Sequence, residues 1–160
     1  METLERILAD HPFFETLGER YLPLLVGCAS NVRFQAGDYV FREGGAADQF
    51  YLIREGKVAL EVCAPSRESI SVHTLGQGDV LGWSWLIPPY RWHFDAHVTE
   101  PVRAFALDGA CLRAKCEQDH DLGYVLMKQV ALITTQRLQA TRCQLLDIHN
   151  AWRLLVDGKS

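Results

Sequence analysis

Between residues 37 and 82 a glycine returns every few positions (Gly37, Gly44-Gly45, Gly56, Gly76, Gly78 and Gly82), and the runs between them are short. Those runs, at residues 39–41, 50–53, 57–62 and 70–75, with another at 102–107, are rich in β-branched and aromatic residues. Glycine at that interval costs a helix about 1 kcal/mol each time, whereas it suits the turns between strands. Short strands spaced about 8–12 residues apart, with turn residues between them, predict an antiparallel sandwich or barrel. The polar segment 64–69 reads as a hairpin loop between two of them.

The flanks change period. Leu4, Ile7 and Leu8 stand at helical spacing, followed by Phe14, Leu17, Tyr21, Leu24 and Leu25, with Pro12 and Pro23 where segments begin or break. Residues 1–29 therefore read as a helical cap and residues 30–107 as a β-roll. Residues 109–156 return to helix: a short one over 110–117 and a long one capped by Asp119 or Asp121 and running to His149. Along the long helix Tyr124, Met127, Ala131, Thr134, Leu138, Thr141, Leu145, Ile148 and Trp152 recur in alternating steps of three and four, a heptad seam. A second stripe, Leu122, Val125, Leu126, Val130 and Ile133, lies on a neighbouring face. One stripe can pack on the roll while the seam, from Tyr124 to Ile148, serves as a homodimer interface; the alternative is one broad face packed on the roll. The whole is expected to be a single domain over residues 1–160, mainly β with flanking helices.

Composition narrows the function. With 48% hydrophobic residues the chain can bury a core, and with 22% charged residues it does not read as disordered. A net charge of −4 with scattered Lys and Arg argues against direct DNA binding, which uses a clustered basic patch. No apolar stretch reaches the roughly 18–20 residues of a membrane span, and the first residues carry acid rather than a signal region. The expected compartment is the cytoplasm, and Cys28, Cys63, Cys111, Cys116 and Cys143 are expected there as reduced thiols. No nucleophile elbow, zinc-protease motif or phosphate-binding loop is present, so no catalytic residues are assigned and the chain does not read as an enzyme.

The order of cap, glycine-punctuated roll and long helix, with Phe34-x-x-Gly37, Val40-Phe41-x-x-Gly44, Phe50-Tyr51-Leu52-Ile53-x-x-Gly56-x-Val58 and Leu75-x-x-Gly78-Asp79-Val80-Leu81-Gly82, resembles the cyclic-nucleotide-binding domains of the catabolite activator and Fnr-type regulators. The resemblance runs from about Phe13 to Ile148 and implies a double-stranded β-helix, a jelly-roll-like β-roll. It implies a stand-alone sensor domain, since no residues follow from which a helix-turn-helix domain would be built. In that family a Gly-Glu pair opens a small helix facing the cyclic phosphate, and an arginine about nine residues later pairs with the phosphate. Counted without a gap, Trp83 stands at the glutamate position and Trp92 at the arginine position, with Arg91 one residue away. The candidate ligand-binding residues are therefore Gly82, Trp83, Ser84, Trp85, Arg91, Trp92, His93 and Phe94.

Trp83, Trp85, Tyr90, Trp92 and Phe94 place five large aromatics in twelve residues, including three of the four tryptophans. Either these rings fill the former pocket as core, or they stack on a flat or apolar ligand oriented by Ser84, Arg91 or His93. His93 and His97 lie about 13 Å apart along an extended strand, too far for one zinc ion, and the cysteines show no iron–sulfur spacing. Haem gains no support from His73, His93 or His97, so no metal or cofactor is expected. Three readings follow: a sensor of a small molecule other than cAMP or cGMP, a ligand-free dimeric module for a protein partner, and a cAMP or cGMP regulator with Arg91 on the phosphate.

Overall fold

A computed structural model describes residues 4–13 and 19–158. Phe14 and Leu17 of the expected cap lie outside the described residues. The chain forms two compact units, Met1–Met127 and Lys128–Ser160. The first opens with helix α1 (Leu4–Ala9), a 3-10 turn (Glu19–Tyr21) and helix α2 (Leu22–Val26), with Pro23 in the first turn of α2. Six antiparallel strands follow: β1 (Ala29–Phe34), β2 (Tyr39–Phe41), β3 (Gln49–Cys63), β4 (Ser69–Leu75), β5 (Val80–Leu81) and β6 (Asp95–Asp108). They are ordered β1-β6-β3-β4, with β2 also on β6 and β5 also on β3. Helix α3 spans Gly109–Gln118 and helix α4 spans His120–Asp157. The mainly β roll with flanking helices is as the sequence implies.

The organising pair is β3 with β6. The runs expected as separate strands at 50–53 and 57–62 are one strand of 15 residues, and its partner has 14. Gly56 is therefore no turn between strands. It sits at φ +97°, and a Cβ there would lie 2.2 Å from the Pro101 carbonyl oxygen. Register shifts cluster around it, from Ile53 to Val58, where the two strands bend together. Glycine allows this backbone contact; any side chain would push Pro101 away.

Both faces of this pair are buried in its first half, which is why Phe50-Tyr51-Leu52-Ile53 reads as continuous apolar sequence. Phe50, Leu52, Phe105 and Leu107 face a core shared with Leu8, Leu25, Trp85, Leu112, Leu122 and Leu126. Tyr51, Ile53, Ala104 and Ala106 face a second core inside the roll, with Val58, Leu60, Leu81, Ala96 and Val98. Asp108 caps α3, its carboxylate accepting from Cys111 N–H at 2.9 Å, and Asp119 accepts from Asp121 and Leu122 N–H at the start of α4. One sequence expectation is overturned. Cys28 and Cys111 are joined as a disulfide, with Cα atoms 6.1 Å apart across 83 residues of chain, while Cys63, Cys116 and Cys143 are free. Spacing along the sequence gave no sign of the pairing, because the roll alone brings the two together.

His11 ties the cap to the roll. It is 6% exposed, and its Nδ1 accepts from Phe13 N–H at 3.2 Å, so Nε2–H donates to the Ile53 carbonyl at 3.2 Å. Burial lowers its pKa from 6.5, against smaller raising effects of the Ile53 hydrogen bond and Asp79. Below pH 6.5 the unfolded chain takes up this proton before the folded one. Stability from this group is therefore full above that value and declines as pH falls toward the folded pKa, by up to about 1.4 kcal/mol per pH unit. Denaturant titrations from pH 8 to 5 should show the wild type losing more stability on acidification than His11→Gln; parallel curves would remove His11 as the cause.

Candidate functional site

The segment after β5 begins at Gly82, held at φ +95° with a would-be Cβ only 2.6 Å from the Trp92 ring. That missing Cβ is the space in which Trp92 packs. Trp92 is 7% exposed and stacks on Phe41, with ring centroids 3.8 Å apart and planes 9° from parallel. Trp85 is 2% exposed and stacks on Phe50 at 4.7 Å and 12°. Gly109 leaves it room, since a Cβ there would meet the Trp85 Cβ at 3.0 Å. These two rings are buried in the core, whereas Trp83, Tyr90 and Phe94 are half-buried.

The backbone of the segment is pinned to residues 44–47. Gly44 N–H donates to the Trp92 carbonyl at 2.9 Å, Trp92 N–H to the Gly45 carbonyl at 3.0 Å, and Ala47 N–H to the Tyr90 carbonyl at 2.8 Å. The Pro88-Pro89 bond is cis, and Tyr90 follows at φ +58°. Arg91 is exposed, and its Nη1 donates to the Gly44 carbonyl at 3.4 Å.

The remaining polar candidates gather around His93. Its Nδ1 is 2.9 Å from the Arg91 carbonyl, which can only accept, so Nδ1 carries the proton and the neutral ring keeps Nε2 as acceptor. Ser84, 3% exposed, lies 3.4 Å from the same nitrogen. Trp83 is half-buried and tilts 45° to the His93 ring at 5.0 Å. Phe94 is half-buried against the core inside the roll. The structure thus divides the sequence candidates: Trp85 and Trp92 are core, Trp83, Ser84 and His93 form a group, and Arg91 lies outside it. Beside Trp92 is a cavity of about 420 Å³ lined by Phe41, Arg42, Gly45, Asp48 and Tyr51 among others.

Two neighbouring features escape the sequence reading. Arg113 of α3 donates to the Trp85 carbonyl and sets its guanidinium 4.4 Å from the Tyr90 ring centre, joining helix to segment. On β2 and β6, Arg42 covers the Tyr39 ring at 4.0 Å and pairs with Asp95 at 3.3 Å. Tyr39 stacks on His97 at 4.7 Å, and His97 Nδ1 is 2.9 Å from Glu61. Nothing local in the sequence joins Arg113 to residue 85. The alternation of apolar and polar residues from Trp92 to Thr99 reads as a strand, but the strand begins only at Asp95, and its partners were not legible.

The seam on α4 is largely solvent-facing. Tyr124, Met127, Ala131, Thr134, Leu138, Leu145, Ile148 and Trp152 are exposed and Thr141 is half-buried, whereas Leu122 and Leu126 of the second stripe are buried. Thr134 and Thr141 donate their hydroxyls to the Val130 and Arg137 carbonyls at 2.7 and 2.8 Å, so their methyl groups are what the seam has to offer.

The Cyclic nucleotide-binding domain model matches residues 31–119, more than half of the chain. The chain belongs to the cyclic nucleotide-binding domain family. A solved structure of a Geobacter metallireducens protein named for cyclic nucleotide binding is 31% identical, with a TM-score of 0.76, and the match covers 86% of this chain and 99% of that one. The CRP-like cAMP-activated global transcriptional regulator of Mycobacterium tuberculosis is 26% identical over 145 residues, 91% of this chain and 63% of that protein. A cGMP-dependent protein kinase of Drosophila melanogaster is 32% identical over 76 residues, 47% of this chain and 8% of the kinase. The chain thus spans less than two thirds of either curated relative. Among the described residues no helix is long and apolar enough to cross a membrane.

Within this cyclic nucleotide-binding domain the two stacked tryptophans should behave as core. Trp92→Ala and Trp85→Ala should each cost about 3–5 kcal/mol in chemical denaturation, and Trp83→Ala about 1 kcal/mol or less. Equal losses at all three positions would contradict the division.

Proposed function

We propose that this chain is a ligand-sensing regulatory module of cyclic nucleotide-binding type whose effector is a flat, largely apolar small molecule other than cAMP or cGMP. One observation carries the reading. At the position expected for the phosphate-binding arginine stands Trp92, buried and stacked on Phe41, while the neighbouring Arg91 turns to the Gly44 carbonyl at the surface. A phosphate is normally held by charge-assisted bonds worth about 1.5–3 kcal/mol each, and two missing anchors would lower affinity by orders of magnitude. The cavity of about 420 Å³ beside Trp92, lined by Phe41, Tyr51, Arg42 and Asp48 among others, is of a size that suits a small ligand.

The module acts by binding rather than catalysis, in the cytoplasm, and signals through its C-terminal helix. The exposed seam with period seven supports a parallel homodimer, with Leu138 and Leu145 at the centre of the coiled coil. DNA is not contacted directly; a protein partner reads the dimer. The second reading, a ligand-free interaction module, is favoured by the depth of Trp85 and Trp92.

Calorimetry with cAMP and cGMP should give no binding heat up to about millimolar nucleotide, the weak end of the affinity scale. Micromolar binding that disappears in Arg91→Ala would overturn the reading. Sedimentation should find a dimer for the wild type and a monomer for the Leu138→Glu, Leu145→Glu pair; a wild-type monomer would refute the seam as an interface.

A further inference from the structure

We propose that Cys28 and Cys111 form a reversible thiol–disulfide couple whose state sets how firmly α3 is clamped to the cap, and through α3 how firmly the aromatic segment is held. This goes beyond the proposed function and does not depend on which ligand the module takes.

The placement carries the argument. Cys28 follows α2 at the end of the cap, and Cys111 is in the first turn of α3. The same junction is tied by the backbone: Asp108 N–H donates to the Cys28 carbonyl at 2.9 Å, and Gly109 N–H to the Asp48 carbonyl at 2.7 Å. Two residues beyond Cys111, Arg113 donates to the Trp85 carbonyl and covers the Tyr90 ring. One short helix therefore carries a covalent tie to the cap and a polar tie to the tryptophan segment, within a single turn. Opening one tie changes the freedom of the other, and any ligand that alters the segment alters the couple in return.

The two cysteines differ in burial: Cys28 is 7% exposed and Cys111 is half-buried, so Cys111 is the more accessible residue of the pair. The thiolate of a small thiol such as glutathione attacks Cys111 Sγ, the Cys28–Cys111 bond breaks, and Cys28 leaves as a thiolate that takes a proton from water. A second thiolate resolves the mixed disulfide, and the Cys111 thiolate released takes up a second proton. The couple has then gained two electrons and two protons, and two small thiols have become one disulfide. Cys116, five residues further along α3, is kept from interfering. Burial, with the carboxylates of Glu117 and Asp119, raises the pKa of its thiol, so little of it is nucleophilic thiolate. Its Cβ packs beside Gly123.

The test equilibrates the full chain in glutathione buffers of defined reduced-to-oxidised ratio, traps free thiols with an alkylating agent, and counts labels by mass spectrometry. The Trp85 indole signal is followed by NMR in the same samples. Cys28 and Cys111 should gain labels together as the ratio rises. The Trp85 signal should move with the same midpoint, and Cys116→Ser should leave both unchanged. A bridge that persists in excess reduced glutathione with the chain folded would make the pair a permanent staple and overturn the proposal. So would a bridge that opens while Trp85 stays still. The Cys28→Ser, Cys111→Ser variant, in oxidising buffer, should match the reduced wild type at Trp85; if it matches the oxidised form, the coupling is refuted.

Discussion

The close approach of Gly56 to the Pro101 carbonyl is the contact on which the rest of the structure depends. It lets two strands of 15 and 14 residues stay paired through a bend, so that one end of the pair closes the roll and the other supports the cap and α3. Both faces are buried at the supporting end, and hydrophobic burial at about 25 cal/mol per Å² favours that arrangement strongly. Trp85 enters through this end, stacking on Phe50 of β3. The tryptophan segment is thus anchored in the same core that holds the cap.

That anchoring decides what the segment can do. A cyclic nucleotide-binding domain built with polar anchors leaves a concavity for a phosphate. Here the indole of Trp92 occupies the space beside Gly82 and lies flat on Phe41. Of the polar groups beside it, the exposed His93 is held by the Arg91 carbonyl, and the buried Ser84 lies against the same ring nitrogen.

Much of this was legible from the sequence because it is local. Glycine spacing and the β-branched and aromatic runs give strands, 50–53 among them, and Asp119 gives the start of the long helix. What was not legible is long-range. Gly56 reads as a turn until Pro101 is known to lie against it, and Cys28 shows no relation to Cys111 across 83 residues. Trp85 and Trp92 carry the same local signal as Trp83. Only the partners Phe50 and Phe41, contributed by β3 and β2, separate core from rim. Arg113 was passed over for the same reason, since its acceptor is 28 residues away.

The account stands most directly on whether Trp92 is core or ligand contact. The measurement is an NMR titration of the chain labelled at its tryptophan indoles, with cAMP added to millimolar concentration. The account predicts that the Trp85 and Trp92 signals hold their positions and remain slow to exchange with deuterium. A Trp92 signal that shifts and saturates at micromolar cAMP would contradict it, and would return the segment to the role of a nucleotide pocket.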